Sequence, residues 1–349
     1  MSARGPRYLL VAVYRGPYIG LAPLEREFGA SACAFLLDGE AAKERRRHGP
    51  PFLHPSPALS GAAGCLDFLR RSGYRALVRG VSKTPVRDNL ETRLSTAAAK
   101  AGLPVYAVED YPGNYTPDQP RADGLFVEFP STKALHLRRG LRPSSVHVTG
   151  NPRYACVQSP PTRAERAALR ARLGIGDEPA VLWAGQPNRM GNAGTLKALL
   201  PHLRKHRATL LYRSHPYTPA DAVMTSGIKV IDVTAESDPI ALARAADLVG
   251  TQFSTLAVEA GYAGVPSLFI LLPGLGLDRH IGSTGEATPP WCGEGLAFLA
   301  RSRSELCPAL ARALGDRVSR ARVLRGFQRL KMANRHSARR IARIVEASS

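Results

Sequence analysis

Cysteine is scarce and dispersed in this 349-residue chain: five residues, at 33, 65, 156, 292 and 307, with no CxxC or other paired spacing. An odd, scattered set excludes a disulfide framework and a zinc knuckle, and fits a reducing compartment. Long hydrophobic runs are missing too. The longest stretch free of charged residues and histidine, Ala260 to Leu277, contains Gly261, Gly264, Pro266, Pro273, Gly274 and Gly276, which break a membrane-spanning helix. The apolar run Tyr8–Val13 is too short for a signal peptide and has the length of a buried strand. The sequence therefore predicts a cytoplasmic protein without a membrane span.

Acidic residues are the other shortage. There are 28 Asp and Glu against 48 Lys and Arg, a net charge of +20. This excess predicts attraction to nucleic acid, anionic lipid or phosphorylated substrates. Lysine contributes only eight of the 48, leaving 40 Arg. Arginine suits bidentate phosphate contacts, although a GC-rich genome produces the same bias. No helix-turn-helix, RNP or zinc-finger pattern is present, so no specific nucleic-acid partner is expected. A basic nucleic-acid-binding protein stays as a reading carried by charge alone.

What the chain does contain is alternation. Short apolar runs fit strands at Tyr8–Val13, Ala32–Leu37, Ala76–Val81, Val105–Glu109, Gly124–Val127 and Val146–Thr149. A second series fits Ala180–Ala184, Thr209–Tyr212, Lys229–Asp232, Leu248–Gly250 and Ser267–Leu271, with helical patterns between. Strand–helix repetition of this kind predicts α/β domains with parallel sheets. Two such series predict two Rossmann-like domains facing a cleft, with ligands at the carboxyl ends of the strands. The expected boundaries are 1–153, then a break at Gln158-Ser159-Pro160-Pro161-Thr162, then 162–325, and a basic C-terminal helix over 326–349. Residues 317–349 hold ten basic residues and one acid, Glu346. Two readings of that tail stand: an anion-binding surface, or a terminal helix with a packed stripe and a solvated basic face.

Three segments follow predicted strands and carry candidate chemistry. Tyr14-Arg15-Gly16-Pro17-Tyr18-Ile19-Gly20 follows the first; Gly16 and Gly20 would let backbone amides approach a ligand, or simply form a turn. Glu109 and Asp110 end a buried strand before the loop Tyr111-Pro112-Gly113-Asn114-Tyr115. Alternation points them to opposite faces, so one enters the ligand site, as a general base or as a loop-pinning acid. The third set is Arg213, Ser214 and His215, with Ser254 and Thr255 at a helix start and Glu259 beyond. Free amides, two hydroxyls, a cation and an imidazole make a phosphate site, and Glu259 is placed for ribose hydroxyls. Taken singly, these are also a cap and a satisfied histidine.

These residues resemble a family. Thr149-Gly150-Asn151-Pro152 after a strand at a domain junction looks like the bacterial UDP-N-acetylglucosamine 2-epimerases and their GT-B glycosyltransferase relatives. Asp247-Leu248-Val249, then Ser254-Thr255, Glu259-Ala260 and Gly264-Val265-Pro266, is similar to their donor-binding strand and helix; Arg213/His215-Pro216 resembles the segment of polymer transferases. The resemblance covers roughly 105–272 and implies a GT-B fold and a nucleotide-diphosphate sugar held by the second domain, with no metal and no cofactor. It implies that Glu109 or Asp110 activates a glycan or lipid-linked acceptor, and that Gln186, Asn188 and Arg189 line the cleft. An anionic membrane surface at the inner face of the cytoplasmic membrane is a further expected contact. Two epimerase groups are missing. An aspartate is replaced within Ser82-Lys83-Thr84-Pro85, and a histidine within Gln186-Pro187-Asn188-Arg189-Met190. Glycosyl transfer to a surface glycan is therefore the leading expectation, and sugar-nucleotide epimerisation or hydrolysis the alternative.

Overall fold

A computed structural model describes residues 7–81, 88–157, 159–186, 189–215 and 227–348. The chain forms two compact units, one of Met1–Cys156 with Met332–Ser349 and one of Val157–Lys331. The first unit holds β1 (Tyr8–Ala12), β2 (Cys33–Leu37), β3 (Ala76–Gly80), β4 (Val105–Val108), β5 (Gly124–Val127) and β6 (Val146–Val148). All pair in parallel, in the order β2-β1-β3-β4-β5-β6. The second holds β7 (Ala180–Ala184), β8 (Thr209–Arg213), β9 (Val230–Asp232), β10 (Leu248–Thr251), β11 (Ser267–Ile270) and β12 (Phe298–Ala300), in the order β12-β11-β10-β7-β8-β9, again parallel.

Continuous apolar strands need cover on both faces, and helices supply it. Every residue of β1 is buried. Its alternation sends Tyr8, Leu10 and Ala12 to one layer with Phe35, Val78 and Tyr106, and Leu9 and Val11 to the other with Leu77, Leu94 and Ala107. Strand order reverses between β1 and β3 in the first sheet and between β10 and β7 in the second. Such switch points open a crevice at the carboxyl ends of the strands.

Three elements differ from expectation. Residues 14–20 are not an open turn: Arg15–Leu21 is a helix with Pro17, Tyr18 and Gly20 buried. Strand β12 has no counterpart among the expected strands, being three residues behind a glycine-rich stretch. The single basic helix expected over 326–349 is two helices, Arg317–Asn334 and Ser337–Ala347, interrupted at Arg335-His336. Phe327 of the former packs on Tyr262 in the second unit, ring centroids 5.0 Å apart. Ile341, Ala342 and Val345 of the latter complete one core layer of the first unit.

Candidate functional site

In the first unit the site is built on the ends of β1 and β4. Glu109 follows β4 on the Val105/Ala107 face and turns inward, 3% exposed. Its Oε1 accepts the Tyr115 amide (2.9 Å) and lies 2.9 Å from His136 Nε2. This carboxylate pins the loop through a backbone amide. Asp110 takes the opposite face and is partly exposed. Its Oδ1 accepts from Asn114 Nδ2 at 2.7 Å. Burial pushes the Asp110 carboxyl up to about 6, against the pull of the Arg153 cation and the Asn114 bond. Gly16 sits directly opposite: a Cβ there would lie 2.5 Å from Asp110 Oδ2 and 3.5 Å from Arg153 Nη1. Its bare backbone makes room for the carboxylate. Gly20 is buried one turn on, and a Cβ added there would meet nothing within 4 Å, so it stands apart from this group. Asn151, from the Thr-Gly-Asn-Pro segment, reaches the Asp110 carbonyl through Nδ2 (3.5 Å). The Ser82–Pro85 loop lies outside the described residues.

In the second unit three loops meet around the switch point. Gly185 follows β7, and a Cβ there would stand 2.9 Å from the Arg213 carbonyl and 3.0 Å from the His215 amide. Only glycine admits so close an approach. Gln186 is buried; its amide donates to Asn192 Oδ1 (3.0 Å) and its own side chain to the Gly185 carbonyl (3.2 Å), so it braces the loop. Asn188 lies outside the described residues, as does the side chain of Arg189, whose backbone opens the helix Arg189–Lys205. Arg213 and His215, at the end of β8, are both half-buried. Burial, then the Arg213 and Arg279 cations, hold the His215 imidazole below its ordinary value. On the other side of β7, Ser254 Oγ accepts the Leu256 amide (3.3 Å), and Thr255 precedes the helix Leu256–Tyr262 without a side-chain cap bond. Glu259 is part-exposed on that helix.

Solved structures share this two-unit architecture across nearly the whole chain. A Listeria monocytogenes protein assigned as a UDP-N-acetylglucosamine 2-epimerase superposes with a TM-score of 0.72 at 15% identity, over 99% of this chain and 96% of that one. The Methanocaldococcus jannaschii UDP-GlcNAc 2-epimerase, in complex with UDP-GlcNAc and UDP, gives 0.67 at 16%, covering 97% and 99%. Anabaena HepE, in complex with UDP, gives 0.64 at 14%, covering 98% and 100%. The chain has the GT-B fold. No family model matches it, and no curated protein matches it in sequence.

In GT-B terms, the strand-end loops of the second sheet are legible from residue type, but two members of the cluster are not. Arg279, on the helix Leu277–Thr284, lies over the Phe253 ring at 5.6 Å and adds a second guanidinium to the Arg213/His215 group. Buried Gln252 ties β10's end to Thr195 through Nε2 (3.0 Å). Neither carries a local signal; only the fold brings their elements together. In the first unit Arg153 likewise has no signal of its own, although it stands beside Asn151-Pro152.

Proposed function

We propose that this chain is a nucleotide-diphosphate-sugar enzyme acting as a glycosyltransferase, with UDP as the nucleotide. The observation carrying this reading is the grouping of Arg213, His215 and Arg279 beside the switch point of the second sheet, with Arg279 over the Phe253 ring. Two guanidiniums neutralise the charge that grows on a departing diphosphate, and the imidazole, held in its neutral form by burial and those cations, adds a hydrogen-bond donor. The Ser254 and Thr255 hydroxyls add donors, and Glu259 takes ribose hydroxyls. UDP is named because proteins of this fold have been solved with it. Asp110 is assigned as the base. With a carboxyl titrating at about 6 it is mostly ionised at neutral pH and can take the proton of an acceptor hydroxyl as the sugar–diphosphate bond breaks. The acceptor is a surface glycan or a lipid-linked sugar.

Epimerisation at C2 is the second reading, favoured by the 2-epimerases among the structural neighbours. Product analysis with UDP-N-acetylglucosamine separates the two. A transferase releases UDP in step with glycosylation of an added acceptor. An epimerase yields the 2-epimer, or UDP and the epimerised sugar, with no acceptor present. Absence of calorimetric binding to UDP and to any UDP-sugar would overturn both readings.

A further inference from the structure

Strand β6 is one of the two outer strands of the first sheet, and Val148 on it is 41% exposed. An open groove of about 410 Å³ runs along it, lined by Lys133 from the helix Pro130–Arg138, His147 of β6 itself, and Arg340 and Arg343 from Ser337–Ala347, with Val146 and Ile344 among its apolar walls. Four nitrogen-bearing side chains from three elements thus face one concavity, and no Asp or Glu lines it.

Several arginines elsewhere pair with acids: Arg45 with Glu25, Arg166 and Arg170 with Asp247, Arg339 with Glu27. In the groove that matching stops. Lys133 Nζ donates to the Pro143 carbonyl (3.1 Å), and Arg340 Nε to the Thr149 carbonyl (3.0 Å), bonds that fix both heads without neutralising them. Among the described residues Arg343 has no hydrogen bond or ion pair, and the His147 ring only tilts against Phe126. Glu346, one turn beyond Arg343, is exposed and forms no ion pair with it. Burial and the Lys133 cation hold His147 below its ordinary value, as a positive pocket requires. Arg340 and Arg343 are three residues apart and share a helix face. Concave walls concentrate the field of such cations, and a phosphate group, with several acceptor oxygens, is the anion that lysine and paired guanidinium forks bind best.

We infer that this groove on the edge of the first unit is a phosphate-binding site, separate from the Arg213/His215 cluster. Its phosphate belongs either to a soluble phosphorylated molecule or to a lipid headgroup. The inference does not rest on the proposed transferase activity. Histidine ring NMR on the full-length chain tests it, since His147 reports the groove and His215 the second unit. Inorganic pyrophosphate should shift the His147 signals, and Arg343→Ser and Lys133→Gln should each weaken that response about tenfold while the His215 response stays. In a second arm, vesicles containing phosphatidylglycerol should bind the chain, vesicles of phosphatidylcholine alone should not, and Arg343→Glu should abolish binding. A response in the first arm alone identifies a soluble phosphate; a response in the second identifies a headgroup. Both confirm the site. Arg343 is exposed and unpartnered, so its variants keep the fold, which circular dichroism checks. Silence in both arms, or responses that the variants leave unchanged, would overturn the inference.

Discussion

A methyl group at Gly16 would arrive 2.5 Å from Asp110 Oδ2. In a helix, Gly→Ala ordinarily stabilises by about 0.5–1 kcal/mol. Here the carboxylate must swing away from Asn114 to admit it. Gly16→Ala is expected to keep the melting temperature within a few degrees yet lower turnover of a bound nucleotide sugar at least tenfold, with UDP affinity intact. Asp110 also sets a pH signature. Its folded carboxyl titrates at about 6 against an ordinary 3.8, so the folded state holds a proton that the unfolded chain releases. Stability contributed by this group is therefore full below about 4 and declines as pH rises through 6, by on the order of 1–3 kcal/mol. Activity runs the other way, rising through pH 6 as the base ionises. Asp110→Asn should flatten both profiles and cost about a hundredfold or more in rate. Urea titrations and initial rates across pH 4–8 measure the two. The sequence disclosed that these neighbouring carboxylates face opposite ways, since strand alternation is local. It could not disclose which faces inward, because that depends on His136 and Tyr115, which only the folded loop brings to Glu109.

Elements built from apolar runs were the easiest to read. Gly124–Val127 and Ala180–Ala184 match residue for residue, because a buried parallel strand writes its burial into unbroken hydrophobicity. The helix Arg15–Leu21 was hidden by Gly16, Pro17 and Gly20, poor helix formers that packing tolerates because Pro17 sits in the first turn and closes on Gly80. Arg279 belongs here too: its helix approaches Phe253 only through the tertiary fold. Arg279→Ala should raise the His215 titration toward its ordinary value, by removing a like charge, and weaken UDP binding about tenfold, as loss of one charge-assisted contact predicts. NMR titration and calorimetry read the two effects. The helix Ser337–Ala347 makes the opposite kind of contribution, through its apolar face. Ile341 is fully buried, so Ile341→Ala should cost about 2–5 kcal/mol in denaturant unfolding. Its basic residues point away from that stripe, so any anion contact must use the other face.

The whole molecule is two units of which only the second is continuous in sequence. Residues 157–331 expressed alone should unfold in one cooperative transition and retain UDP affinity. Residues 1–156 alone should not fold, because Ala338, Ile341, Ala342 and Val345 are missing from a layer shared with Tyr8, Phe28, Tyr106 and Phe126. Adding the 332–349 segment through a short linker should restore a cooperative transition. Far-UV circular dichroism with thermal scans decides each case.

That returning helix also sets an order of events on the ribosome. Chains generally fold from the N-terminus as they emerge, at about 5–20 residues per second. Here the first sheet is synthesised early but cannot be sealed until the helix Ser337–Ala347 has been made, roughly 10–40 s later at those speeds. The second unit, begun later, can finish earlier. For that interval one apolar face of the nascent sheet, with Tyr8, Tyr106 and Phe126, waits only partly covered, by Leu21, Leu24 and Phe28. Termination before that helix would therefore leave a product with an intact second unit and an adhesive first one, a natural client for chaperones and proteases.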